Sequence, residues 1–269
     1  MTPHEAFADG RLAEAVALQE SQVAAHPDDA AARLFLVELL AFAGRLDDAD
    51  AHLAAIRSDD PAWPASARDF RLLFRAERQR SVTVRRPTVL PAPPAHAKRR
   101  WLAVKRLRDG DPADAVRWTD GADAASPDVE GFLDGQEFDA LRDADDRFAS
   151  VLEAVVGGRW VWFPWEALRR VKLELPRFAL DRLYRPAEVR LRDGSDHRVH
   201  LPLVYPGSHA ADGAFAAGLE TDRVCPDDGP IRCVGGKLLM AGDAEVPLAE
   251  CRMIEIRFAS GQWAVGSGQ

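Results

Sequence analysis

Cysteine is scarce in this 269-residue sequence, which contains only Cys225, Cys233 and Cys251. Their number is odd and no CxxC pair occurs, so the sequence predicts neither a disulfide framework nor a zinc site built on cysteine. Reduced, partly buried thiols are typical of a cytoplasmic protein, and we expect that location. The chain also begins without a basic segment followed by an apolar one, so we expect no signal peptide.

Long apolar runs and an excess of positive charge are also missing. The most apolar stretch, LFLVELLAFAG, contains Glu38 and is too short to span a bilayer. The formal net charge is -8. Because an acidic protein repels phosphate at long range, we expect neither general nucleic-acid binding nor attachment to a membrane. The composition is that of an ordinary globular protein, long enough for about two domains.

The first 130 residues repeat a pattern with a period of 34 residues. The stretch GRLAEA at residues 10–15 returns as GRLDDA at residues 44–49, and a third copy, GDPADA, occupies residues 110–115. In every copy a proline follows the glycine by 17 residues. This period and punctuation are typical of tetratricopeptide-like helix pairs. Since one pair cannot bury its apolar face alone, we expect the pairs to stack.

The first helix of the second pair is predicted to supply both core and surface. Its apolar residues fit the core between paired helices: Leu34, Leu36, Leu39, Leu40 and Phe42. By register, an overlapping set would line a concave groove that takes up a helix or an extended peptide of a partner: Ala31, Leu34, Glu38, Ala41 and Phe42. The pattern leaves both interpretations open.

A proline-rich linker and a basic patch follow. Residues 81–95 contain four prolines, which favour an extended connection, and we expect a strap across the helices or a mobile loop. Six basic residues then surround Trp101: Lys98, Arg99, Arg100, Lys105, Arg106 and Arg108. A solvated helix face is the first interpretation and docking of an acidic partner segment is the second.

After residue 131 the apolar pattern shortens to the alternation of strands. Strands are predicted within residues 159–164, 171–175, 189–192, 199–203 and 254–258, with hairpins at Asp193-Gly194 and at Gly235-Gly236. We expect the tail after Ala259 to fray. The predicted fold class is therefore α+β, with a tetratricopeptide-like repeat region over residues 1–130 and a compact β-rich α+β domain over residues 131–269.

An acidic cluster, LRDADDRF at residues 141–148, admits two interpretations. Apolar residues recur at helical spacing from Phe148 to Val155, and Gly157-Gly158 follows. This predicts a helix whose N-terminus is capped by Asp145 and Asp146, since carboxylates accept hydrogen bonds from free N–H groups there. A hard-cation site is the less favoured interpretation, because the EF-hand pattern is absent.

Other chemistry-bearing residues form no recognised motif. His197 and His200 lie three apart in a predicted strand, which places their side chains on opposite faces. Gly207-Ser208-His209 lacks the GxSxG elbow of serine hydrolases, so a loop is expected. We expect no catalytic residue, no cofactor and no metal.

One long run, FDALRDADDRFASVLEAVVGGRWVWFPWEALRRVKLELP, resembles the ImpE family, whose members are also called TagJ or SciE-type proteins. The resemblance continues through LDRLYRPAEVRLRDG and VHLPLVYPGSH to CRMIEIRF, and the repeats also look like that family. It implies a structural signature at Asp143, Asp145, Asp146, Trp162 and Pro164.

What the resemblance implies is a non-enzymatic, cytoplasmic accessory protein of the bacterial type VI secretion system. Family members associate with the contractile sheath through its small subunit and are linked to sheath recycling by the AAA+ ATPase ClpV. The alternative is a small-molecule-binding or hydrolytic C-terminal domain carried on a helical repeat module. An enzyme should show a pocket with convergent polar groups, whereas an adaptor should show a groove or an exposed apolar patch.

Overall fold

A computed structural model describes residues 1–82, 85–211 and 213–259. Helices form most of the chain up to residue 123, and their bounds are α1 Pro3–Ala8, α2 Leu12–Ala25, α3 Ala30–Phe42, α4 Leu46–Ala55, α5 Trp63–Val82, α6 Ala95–Arg108 and α7 Pro112–Asp123. Neighbouring helices pack as pairs, α1 with α2, α3 with α4 and α6 with α7. The predicted helix pairs are therefore confirmed.

The repeated glycines end the first helix of each pair in the same backbone conformation. Gly10, Gly44 and Gly110 have φ values of 77°, 70° and 79°. This left-handed region is open to glycine at little cost, which explains why glycine recurs at this position. Pro112 occupies the first turn of α7, as predicted, where its missing N–H costs no hydrogen bond.

Fourteen strands are found in the described residues, and nine of them form one sheet. The strands are β1 Thr88–Val89, β2 Val129–Leu133, β3 Gln136–Phe138, β4 Leu141–Asp143, β5 Val151–Val156, β6 Arg159–Pro164, β7 Leu168–Leu173, β8 Tyr184–Leu191, β9 Asp196–Pro202, β10 Thr221–Val224, β11 Arg232–Gly235, β12 Leu238–Ala241, β13 Ala244–Pro247 and β14 Met253–Ala259. The order in the large sheet is β1-β6-β5-β9-β8-β7-β14-β2-β3. The predicted α+β class, helical repeats followed by a sheet-rich region, is confirmed.

The third helix pair packs on this sheet. Ala97 and Val104 of α6 belong to the same apolar cluster as Trp160 and Trp162 of β6. The helices α1 to α5 share a different cluster, which also receives Val155, Leu180 and Leu183 from the second half, among others. The two halves are therefore joined by apolar contacts, and the domain boundary near residue 130 stays a prediction.

Part of the proline-rich linker belongs to the sheet. Thr88 and Val89 of β1 pair in parallel with Val161 and Trp162 of β6. Residues 83 and 84 lie outside the described part of the chain. At β1 the linker is therefore an edge strand of the large sheet, and not the strap across the helices or the free loop that we expected.

The predicted helix after Asp145-Asp146 is wrong, because residues 151–156 form strand β5. This strand pairs antiparallel with β6, and its first five residues are buried. An apolar run that is buried on both faces satisfies helical spacing and strand spacing equally, so periodicity alone did not decide. The aspartates therefore cap no helix.

The predicted hairpin at Gly235-Gly236 is also wrong. The strand before it, β11, pairs with β10, whereas the strand after it, β12, pairs with β13 and β4. The hairpin at Asp193-Gly194 and the last strand are confirmed as β8–β9 and β14. The tail beyond Ala259, which was predicted to fray, lies outside the described residues.

Candidate functional site

The predicted groove residues of α3 do not share one open surface. Ala31 is exposed and Leu34 is half-buried, but the other three are buried: Glu38, Ala41 and Phe42. A short 3-10 helix of the second half, Ala179–Arg182, contacts α3. There the backbone N–H of Leu180 donates to Glu38 Oε1 over 3.2 Å. The chain therefore covers part of its own predicted groove.

Burial raises the pKa of Glu38 to about 7. The N–H of Leu180 acts in the opposite direction, and the neighbouring Asp181 adds to the increase. A carboxyl group that holds a proton near neutral pH is unusual on a repeat helix. It lies at the contact between the two halves, so the charge of Glu38 affects that contact.

A cleft of about 470 Å³ remains open beside the covered part. Its lining includes two of the predicted groove residues and residues from both halves: Ala41, Phe42, Gly44, Tyr184, Val204 and His209. Clefts of this size hold a few side chains of a bound segment. Two of the five predicted groove residues therefore lie at a cleft where the two halves meet, which we call the junction cleft.

The three aspartates of the acidic cluster bind residues that are distant in the sequence. Asp143 accepts hydrogen bonds from Lys237 Nζ over 3.0 Å and from the Tyr205 hydroxyl over 2.6 Å. Asp145 accepts from Arg147 Nη2 over 2.6 Å and from the backbone N–H of Cys233 over 2.8 Å. The turn at residues 143–146 is thus fixed to the segment that precedes β12.

Asp146 completes this attachment at the surface. Its carboxylate accepts from Arg142 Nη2 over 2.5 Å and from the backbone N–H of Ile231 over 2.7 Å. The aspartates therefore accept backbone N–H groups, as a cap would, but across a tertiary contact.

Arg80 of α5 links the helices to the sheet. Its Nε and Nη2 donate to the two carboxylate oxygens of Glu153 over 2.9 and 3.1 Å, and Nη2 also donates to the carbonyl of Val204. Its Nη1 donates to Glu77 over 3.1 Å, and the Tyr184 hydroxyl donates to Glu77 over 3.0 Å. The Arg80 side chain is 3% exposed and that of Glu153 is fully buried.

Lys237 joins this pair to the aspartates. Its Nζ lies 3.1 Å from Glu153 and 3.0 Å from Asp143, and the indole N–H of Trp160 donates to Glu153 over 2.7 Å. Burial by itself would raise the pKa of Glu153, but Arg80 and Lys237 lower it to about 2. The carboxylate therefore stays charged at neutral pH, with a cation on each side. We call Arg80, Glu153, Lys237 and Asp143 the junction network.

The two remaining signature residues lie in β6 beside the junction network. Trp162 is fully buried, its ring centroid lies 6.0 Å from that of Phe148 in a T-shaped contact, and Pro164 is buried at the end of the strand. Within the described residues no group of three His, Cys, Asp or Glu side chains is arranged to hold a metal ion. The network's arrangement is that of a structural junction, in which this chain supplies both charges of each pair.

Sequence reasoning missed a second buried polar cluster. His96 Nδ1 lies 2.9 Å from Ser150 Oγ, and His96 Nε2 lies 2.7 Å from Glu166 Oε1. This order of groups resembles a serine–histidine–acid relay. However, Arg100 Nε also donates to Ser150 Oγ over 3.2 Å. The three residues are separated by 54 and 70 positions, so no local motif signals them.

The serine and histidine that the sequence places side by side have separate surroundings. Ser208 is buried, and its Oγ accepts the backbone N–H of Gly235 over 2.7 Å. His209 is exposed and lines the junction cleft. Ser208 is occupied in a turn, which agrees with the loop interpretation.

The basic patch on α6 is not a single solvated face. Arg100 is fully buried and forms an ion pair with Asp123, and Arg106 pairs with Asp114 over 2.8 Å. Lys98 and Lys105 are exposed. Arg99 also donates to the carbonyl of Gly121, so three of the six basic side chains attach α6 to its pair helix α7.

Residues 135–255 match the ImpE protein family, and residues 6–69 match a tetratricopeptide repeat family. The chain is 31% identical over 265 residues to the type VI secretion system accessory component TagJ of Pseudomonas aeruginosa, which covers 95% of this chain and 91% of that protein. The chain belongs to the ImpE family. The fold matches the crystal structure of a protein from Vibrio parahaemolyticus with a TM-score of 0.86, at 19% identity, over 95% of this chain and 97% of the other.

The junction network joins the segment that matches the ImpE family to helix α5. Glu153, Lys237 and Asp143 lie inside the segment that matches the ImpE family, whereas Arg80 lies between the two segments, on the long helix α5. No described helix has the length and apolar character needed to cross a membrane.

Proposed function

We propose that this chain is a non-enzymatic accessory protein of a type VI secretion system that acts by binding other proteins in the cytoplasm. The observation that carries the proposal is the 31% identity to TagJ, because it extends over 95% of the chain and so includes both halves. The tetratricopeptide match at residues 6–69 supports a role in protein binding.

We further propose that the partner is the small subunit of the contractile sheath and that this contact assists sheath recycling by ClpV. The junction cleft is the favoured docking place, since its exposed lining is mainly apolar and both halves contribute to it. A helix or an extended segment that inserts an apolar side chain beside Phe42 fits these dimensions. Ala31 and Leu34 lie outside this cleft and remain secondary candidates.

The test is a binding titration of the full chain with the purified sheath small subunit. Ser81 is exposed at the cleft, and Ser81→Trp is expected to obstruct the entrance and weaken binding about tenfold or more. Ser21 is an exposed serine on α2, outside the cleft, and Ser21→Trp is the matched control. Unchanged binding by Ser81→Trp would move the contact away from the cleft, and no binding by the unaltered chain would remove the sheath subunit as a direct partner.

One observation favours a hydrolytic activity as the second candidate. Ser150 and Glu166 line a smaller cleft of about 220 Å³, and His96 lies between them. Arg100 competes for the serine oxygen, which weighs against nucleophilic attack. A fluorophosphonate probe that labels the chain, but not Ser150→Ala, would establish a reactive serine, and absence of labelling would exclude this candidate.

A further inference from the structure

Three arginines converge on one cleft of the large sheet, distant in the sequence from one another. Arg169 lies in β7, Arg192 directly follows β8, and Arg257 lies in β14. Together with Glu255 and Ile256 they line a cleft of about 490 Å³, which we call the arginine cleft. None of the three belongs to the junction network or lines the junction cleft.

Two of these arginines occupy irregular positions in their strands. The pairing of β7 with β8 shifts register between Leu168 and Arg170, which makes Arg169 the extra residue. The pairing of β14 with β2 shifts between Ile256 and Phe258, which makes Arg257 the extra residue. A β-bulge changes the direction of the side chain it carries, and bulges are common beside binding sites. The two bulges therefore change the direction of two arginine side chains that line the same cleft.

The third arginine is held in place by neutral groups. Arg192 Nε donates to the carbonyl of Glu166 over 2.8 Å, and its two terminal nitrogens lie 3.5 and 3.4 Å from the carbonyls of Arg257 and Ile256. Carbonyl oxygens orient a guanidinium group without neutralising its charge. Burial and the nearby Arg169 lower the pKa of Arg192, which agrees with cations gathered close together.

The charge of the arginine cleft is not balanced within the described residues. No carboxylate there forms an ion pair with Arg169, Arg192 or Arg257, although Glu255 lines the cleft. By contrast, Arg190 on the same sheet is paired with Asp196 through two hydrogen bonds of 2.8 and 2.5 Å. In a chain with a formal net charge of -8, three unpaired arginines at one place are a local exception.

We propose that the arginine cleft binds an acidic segment of a partner protein, whose Asp or Glu carboxylates are received by the guanidinium groups of Arg169 and Arg257. Guanidinium and carboxylate match in shape and form paired hydrogen bonds. An aromatic group is also close, since the Arg257 guanidinium lies 3.8 Å from the ring centroid of Phe132. The proposal for the arginine cleft does not depend on binding at the junction cleft, nor on the sheath small subunit being a partner of this chain.

A peptide fits this surface better than a nucleic acid. The net charge of the chain and the carboxylate of Glu255 both repel an extended polyanion, whereas a short acidic segment contacts the arginines locally. Arginine stacked on an aromatic ring is also typical of protein interfaces.

The test titrates the full chain into a fluorescein-labelled peptide of repeated Glu-Leu-Glu-Gly units. Binding is measured by fluorescence anisotropy at low salt. A peptide with Gln in place of Glu is the matched probe. We expect the Glu peptide to bind and the Gln peptide to bind at least about tenfold more weakly. Arg169→Gln and Arg257→Gln should each weaken binding of the Glu peptide by about tenfold. Arg190→Gln should not, because Arg190 is already paired.

Glu255→Gln gives a result of the opposite sign. Removing this carboxylate should strengthen binding of the Glu peptide several-fold, because the peptide then approaches three cations without a neighbouring anion. A merely structural role of the residue would not produce a gain.

Four outcomes would overturn the proposal. The first is that the Gln peptide binds as tightly as the Glu peptide, and the second is that Arg190→Gln weakens binding of the Glu peptide as much as Arg169→Gln does. The third is full competition by inorganic phosphate at the concentration of the peptide. The fourth is self-association of the chain that is lost in Arg169→Gln. The third result would indicate a small-anion site and the fourth a second copy of this chain as the occupant. Circular dichroism of each variant checks that the fold is retained.

Discussion

The helical pairs α1 to α4 and the junction with the sheet are stabilised by different forces. The helical pairs bury mainly alanine, leucine and phenylalanine, with Gln19 and Glu38 as the buried polar residues of these four helices. At the junction, α5 and the second half bury Arg80, Glu153 and Lys237 together. Apolar contacts depend on shape and volume, whereas each buried charge depends on a particular partner.

This difference has a consequence for which changes the protein tolerates. A helix pair keeps its packing when one apolar residue replaces another of similar volume. In the junction network, a change at one position takes a partner away from an opposite charge that stays buried, which is far more costly. The junction is therefore the place where the two halves are most sensitive to a single substitution.

The largest expected effect comes from Arg80→Met. Removing this cation takes away a hydrogen-bonded partner of the buried Glu153 and leaves Lys237 beside it, so we expect the free energy of unfolding to fall by about 3 to 5 kcal/mol. Urea unfolding of the full chain measures it. Arg78 lies on the same helix and pairs with Asp47, which is 94% exposed, so Arg78→Met should cost less than about 1 kcal/mol. Equal losses in the two variants would contradict the special role of the junction network.

Sequence patterns predicted the helical pairs because each pair is specified locally. Glycine, proline and apolar residues recur at fixed separations, and the physical reason for each lies within a few residues. The α+β class and most strands were also predicted, since alternation is local too. The strand β5 was not, because VLEAVV is buried on both faces and fits helical spacing as well as strand spacing.

The junction network could be predicted in part. The acidic cluster at residues 143–146, which includes Asp143, stands out in the sequence, but its Asp145 and Asp146 were assigned to the cap of a helix that does not form. The ion pairs of the network were not predicted, because Arg80 lies 73 positions from Glu153 and Lys237 lies 94 positions from Asp143. Tertiary folding alone brings such residues together, and the same holds for the three arginines of the arginine cleft.

The next effect tests the helical side of the comparison. Phe42 is 2% exposed and its ring centroid lies 4.9 Å from that of Phe7, so Phe42→Ala should cost about 3 kcal/mol or more. Leu34 on the same helix is half-buried, and Leu34→Ala should cost about 1 kcal/mol. Thermal unfolding of the two variants measures the difference. Similar losses would show that α3 is buried on both sides.

Glu38 sharpens the comparison, because it is a buried ionisable group in the apolar half. Its pKa of about 7 in the folded chain lies above the ordinary value of 4.5, so the folded state holds a proton that the unfolded chain has released. Stability is therefore expected to fall as the pH rises from about 4.5 to about 7, by about 1 to 3 kcal/mol. Glu38→Gln should reduce this slope. Unfolding measured across that pH range checks it, and an unchanged slope would assign the effect to another group.

The smallest expected effect compares two glycines at the same position of the repeat. Gly110 has φ of 79° with no atom within 4 Å of an added Cβ, so Gly110→Ala should cost about 1 kcal/mol from backbone strain alone. At Gly44, with φ of 70°, an added Cβ would lie 2.7 Å from the ring of His209 in the second half. Gly44→Ala should therefore cost more, by about 1 kcal/mol. Combining it with His209→Ala should remove the excess, because the colliding ring is then absent. If the excess persists, the strain arises within the helix pair and the two halves do not meet at this position.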